Sequence, residues 1–141
     1  HMDAHFENVL SDGRQLFLSD FGLATSRAFQ LAPDELAFFA RHESFDRATA
    51  ITSLVHALVS RYDSRPDWRG ALLQLVGGCH PESERVPAGV RALLTQRGPV
   101  ALKVGEFYGR LREDLGAEYP DADLQRILER EPPPEPTGDR P

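Results

Sequence analysis

The chain has 141 residues, 40% of them hydrophobic, and a formal net charge of −6. That length accommodates one domain and is short for two, and the apolar content supports a real core rather than disorder throughout. Lys and Arg are scattered without forming a stripe, which argues against nonspecific binding to nucleic acid or an anionic membrane surface.

In chain order, His1-Met2 reads as a cloning scar followed by a start methionine. Residues 8–20 read as a β-hairpin: Val9-Leu10 and Leu16-Phe17-Leu18 flank Ser11-Asp12-Gly13, and Asp-Gly is a strong turn signal. A helix is expected from Pro33, since Pro suits a first turn and Asp34 and Glu35 suit its positive end. Ile51, Leu54, Val55, Leu58, Val59 and Tyr62 recur at three- and four-residue spacing, the stripe of an amphipathic helix that Ser44 or Asp46 would cap. Trp68, Ala71, Leu72, Leu75 and Val76 repeat the spacing up to a stop at Gly77-Gly78.

Val90, Leu93 and Leu94 predict a shorter helix ending near Gly98-Pro99. Val100, Val104, Phe107, Tyr108, Leu111 and Leu115 predict a long one stopped by Gly116, and a last helix begins around Pro120-Asp121. From Pro132 the Pro-rich sequence is expected to be a disordered tail, residues 132–141. Cys79 is alone, so an internal disulfide or a cysteine-rich zinc site is excluded; a plain buried or half-buried thiol in a reducing cytoplasm is the expectation. No apolar run reaches the ~20 residues of a membrane span. His42, His56 and His80 have no paired metal-ligand spacing and are expected to pack or face solvent, whereas Trp68, Phe107 and Tyr108 are expected in the core. One hairpin followed by about six helices is an odd order for an independent domain, because a lone hairpin has few strands to pair with.

The first 24 residues are the specific part. His1-Met2-Asp3-Ala4-His5-Phe6-Glu7-Asn8, then the hairpin, then Asp20-Phe21-Gly22-Leu23-Ala24 resemble the catalytic and metal loops of the protein-kinase-like superfamily, H-x-D-x-x-x-x-N followed by D-F-G. The resemblance implies a mainly α fold with one β-hairpin, the C-terminal lobe of a kinase-like fold. Residues 1–24 would carry the chemistry, and residues 33–131 would form a helical subdomain.

It implies Asp3 as the group that takes or orients the proton of an attacking hydroxyl, with His5 beside it, either catalytic or, the favoured role, bracing the loop. Asn8 and Asp20 would be the magnesium ligands. Phe21 would pack beneath the site and Gly22 would free the metal loop's backbone. Asp46 is either a simple helix cap or the aspartate with which this family holds the catalytic-loop backbone.

His5 resembles the aminoglycoside and choline kinase-like loop, and Asp-Phe-Gly-Leu-Ala resembles a protein kinase. Ala32-Pro33-Asp34-Glu35 loosely resembles the A-P-E that closes a protein-kinase activation segment. It stands only ten residues after Gly22, which leaves little room for a peptide platform and favours a small-molecule or atypical kinase. The glycine-rich loop, strand lysine and partner glutamate of the ATP-binding lobe have no counterpart; Lys103, the only lysine, lies on the long helix.

The resemblance thus implies ATP, Mg2+ and a hydroxyl-bearing substrate in the intact enzyme, and little or no activity in this chain alone. A rival reading is a noncatalytic interaction module that forms a homodimer or binds a separate N-terminal lobe. A third is that the motif is coincidental and the chain an unrelated helical domain, a reading that a helix over residues 8–20 would favour.

Overall fold

The computed structural model describes residues 1–26 and 28–129; the expected tail, 132–141, and the last residues of the expected helical subdomain lie outside them. Residues 8–20 form a hairpin and not a helix. A 3-10 turn, Phe6–Asn8, leads into β1 (Val9–Ser11), which pairs antiparallel with β2 (Leu16–Leu18) in the register Val9–Leu18, Leu10–Phe17 and Ser11–Leu16. The Asp12 carboxylate accepts the backbone N–H groups of Arg14 and Gln15, both at 2.8 Å, and Gly13 takes the left-handed φ of +86° that the turn requires.

The remainder is helical, with five helices among the described residues: α1 (Pro33–Ala40), α2 (Phe45–Ser60), α3 (Trp68–Val76), α4 (Ala88–Glu113) and α5 (Asp121–Leu128). The start at Pro33 is as expected, and the Glu35 carboxylate reaches back to accept the Ala32 N–H at 2.7 Å. Asp67 caps α3 through the Gly70 N–H, and Gly77 and left-handed Gly78 end it. The main core joins α2, α3 and α4: Val55, Val59, Leu72, Leu75, Leu94 and Ala101 are at most 1% exposed. A second cluster joins Ala48, Val100 and Val104 to Leu124 and Leu128 of α5.

The expected break at Gly98-Pro99 does not occur; α4 runs through both residues. Pro99 is exposed, so the carbonyl it leaves unbonded, that of exposed Thr95, can turn to water. Gly98 and Val100 on either side are buried, and a Cβ at Gly98 would meet Leu72 Cδ2 at 3.3 Å. Close packing of α4 on α3 thus holds the helix where local propensity would break it.

At its far end α4 stops at Glu113, ahead of the expected Gly116, and Leu115 is 91% exposed instead of completing the apolar stripe. Tyr108, expected in the core, is 41% exposed, and Cys79 is an exposed thiol. Ser44 stands at the α2 N-cap without capping it; its hydroxyl donates to Asp121 Oδ1 at 2.6 Å and ties α2 to α5. Among the described residues no helix is long and apolar enough to cross a membrane.

Candidate active site

Asp3 and His5 gather around one buried amide, that of Asn8. Asn8 is 9% exposed, and its Nδ2 donates to the Asp3 backbone carbonyl at 3.0 Å and to Asp3 Oδ2 at 2.9 Å. His5 Nε2 lies 3.3 Å from Asp3 Oδ1 and 3.4 Å from the Asn8 amide. The Asp3 carboxylate is therefore steered from both sides while its side chain stays 37% exposed, open to an incoming molecule. The i to i+5 spacing is closed by the 3-10 turn, which swings Asn8 back over Asp3.

Residues 19–22 are placed by the hairpin register. Ser19 extends the ladder one step past Leu18, its N–H donating to the Asn8 carbonyl at 2.9 Å, so Asp20 follows at the same end of the ribbon as Asn8. Asp20 itself takes the left-handed conformation, φ +56°, and its Oδ1 accepts the Gly22 N–H at 3.3 Å. This reassigns the backbone freedom expected of Gly22: the left-handed residue is Asp20, a type that tolerates it. What Gly22 contributes is room, since a Cβ there would lie 3.3 Å from Asp20 Oδ1. Phe21 is not packed beneath the site; it is 61% exposed and meets the His1 ring edge-on at 5.0 Å between centroids.

Asp46 decides how this end is held. It is the second residue of α2, and both its oxygens point away from the helix. Oδ2 accepts the His1 amine at 2.7 Å and Oδ1 the Met2 N–H at 2.6 Å. Of the two sequence readings, the loop-holding one describes the geometry. His1, set aside in the sequence as a cloning remnant, has a side chain only 4% exposed; its Nε2 donates to the Ser19 carbonyl at 2.8 Å and links the loop to the hairpin. The signal for it was present, because His1 occupies the first position of the H-x-D pattern.

A second polar cluster was not legible in the sequence. Asp63, 8% exposed after α2, accepts the Arg65 guanidinium at 2.9 Å and His80 Nε2 at 3.0 Å. The Arg65 side chain first, then the Arg65 backbone N–H and His80, hold its carboxyl well below the usual carboxylate range. His80 Nδ1 accepts the Glu82 N–H at 3.1 Å, so both ring nitrogens are occupied and the pair is structural. On the α4–α5 side, burial pushes the Tyr119 phenol up to about 12, and Tyr108 is raised by burial and by the negative charge of Asp3.

Among the described residues no three His, Cys, Asp or Glu side chains converge as a metal cluster. Magnesium asks for less, one or two protein oxygens completed by waters and phosphates. Asn8 fits that need: its amide nitrogen is spent on Asp3, and no group among the described residues donates to its Oδ1. The Asp20 carboxylate, at the same end of the ribbon, offers a second hard oxygen donor. Comparison with known proteins adds nothing to this geometry: no family model, curated protein or solved structure matches the chain.

Proposed function

We propose that the chain is the C-terminal lobe of a kinase-like phosphotransferase that moves the γ-phosphoryl group of ATP to a hydroxyl. The observation that carries the reading is the pair of hydrogen bonds that the Asp46 carboxylate accepts from the backbone of His1 and Met2, made across more than forty residues of sequence. It supports a loop whose aspartate must be held still. In this reading the Asp3 carboxylate orients the acceptor hydroxyl and takes its proton as the oxygen bonds to phosphorus and the bond to the departing ADP oxygen breaks. Asn8 and His5 keep Asp3 in the rotamer that faces the acceptor. Asn8 Oδ1 and Asp20 would hold Mg2+, which supplies charge neutralisation at the phosphates.

Mn2+ stands in for Mg2+ in the test. Paramagnetic broadening of NMR amide signals is expected to centre on Asn8 and residues 19–22 and to disappear in Asp20→Ala. Broadening centred elsewhere, or unchanged in that variant, overturns the metal assignment. ATP turnover by the purified chain is expected to be nil, because positioning of the nucleotide dominates this chemistry; turnover lost on Asp20→Ala would show instead that the chain is active alone.

A second reading, a noncatalytic interaction module, is favoured by one observation. Leu10, Leu16, Phe17, Leu18, Phe21, Leu23 and Phe29 are 46–76% exposed, so both faces of the ribbon present apolar side chains to water. Light scattering separates the two: a dimer dissociated by Phe17→Lys supports the module, and a monomer at high concentration argues against self-association.

A further inference from the structure

Thr52 and His56 of α2, Trp68 and Arg69 of α3, and Tyr108 and Arg112 of α4 surround a cavity of about 260 Å3. That volume lies near the small end of ligand sites and suits a metabolite rather than a peptide. Its electrostatics run against those of the chain. The net charge is −6, yet this cavity is lined by two arginines and a histidine with no carboxylate.

The two guanidinium groups differ in how they are held. Arg69 donates to the Gly105 carbonyl and lies 5.7 Å from the Trp68 ring centroid. A Cβ on Gly105 would meet Arg69 Nε at 2.8 Å, so the missing side chain is what lets this arginine lie there. Arg112, one turn beyond Tyr108 on the same face of α4, makes no ion pair among the described residues.

We infer that this cavity is an anion subsite that takes a small carboxylate or phosphate compound. The carboxylate or phosphate of that anion pairs with Arg112 and Arg69, and its body lies against Trp68. Guanidinium groups recognise either anion by paired, charge-assisted hydrogen bonds.

Trp68 is the only tryptophan, so its fluorescence and indole N–H signal report on this cavity. The probes are glycerate and glycerol 3-phosphate, with glycerol as the neutral control. At least one anion is expected to saturate the signal at a concentration at least tenfold below glycerol, and the better of the two identifies the headgroup. Arg112→Gln, at an exposed helix end, is expected to weaken that anion about tenfold. Gly105→Ala, which favours the helix while displacing Arg69, is expected to weaken it as well. Equal behaviour of anions and glycerol, no saturation by either anion, or an unaltered Arg112→Gln overturns the subsite. The Mn2+ experiment reads Asn8 and Asp20 alone, so the metal site and the subsite fail separately.

Discussion

The helical body and the hairpin end are built on opposite terms. In the body, Val55, Val59, Leu75 and Leu94 are fully buried and α4 accepts an internal proline in order to keep its contacts. At the hairpin end all three residues of β2 are exposed and the ribbon has no third strand among the described residues. An isolated two-stranded ribbon is marginal in water. The hairpin is therefore held by its root: Asn8 and Ala4 are buried, Ser19 bonds to Asn8 and His1, and Asp46 anchors the loop to α2. The body carries the stability, and the candidate chemistry is gathered where polar bonds substitute for a core.

Variants can break or sharpen that contrast. The largest effect is expected from Leu72→Ala, which empties a site 1% exposed where α3 meets Gly98 of α4. It should cost about 2–5 kcal/mol, seen as a lower urea midpoint with the slope unchanged. Asp46→Ala should cost far less globally, about 1 kcal/mol for a half-exposed acceptor, yet hydrogen exchange should rise selectively at residues 2–22 while α2–α4 stay protected. Equal loss of protection across the molecule would mean that the two regions unfold as one.

The polar cluster inside the body gives a pH handle. Asp63 is held as a carboxylate in the folded state, whereas the unfolded chain takes up a proton near the ordinary value of about 3.9. The stability this adds is present in full above that value and is lost as pH falls below it, toward the lower folded-state value. Urea midpoints measured from pH 5 downward should fall in the native chain, and Asp63→Asn should flatten that limb. An equally steep limb in the variant would assign it to other carboxylates. The smallest change is expected from Leu16→Lys on the exposed β2, within about 0.5 kcal/mol of the native chain. A loss of several kcal/mol there would place the ribbon in the cooperative core.

Much of the candidate site could be read from spacing because its parts are local. Asp3 and His5 meet Asn8 across the 3-10 turn, and the hairpin register brings Asp20 to the same end of the ribbon. Asp46 was legible only as one of two alternatives, since which way a carboxylate turns depends on a partner more than forty residues away. The Arg-lined cavity could not be read at all, because its walls come from three helices.

The hairpin, the starts of α1 and α5 and the end of α3 follow from the sequence itself: Asp-Gly, Pro33, Pro120-Asp121 and Gly77-Gly78 act within a few residues, where backbone sterics dominate. Tertiary structure alone carried α4 through Pro99, left Leu115, Phe21 and Cys79 in solvent and paired Asp63 with His80. Each of these outcomes depends on which distant surface covers a residue. Burial and long-range hydrogen bonds are properties of the packed chain, and no local pattern encodes them.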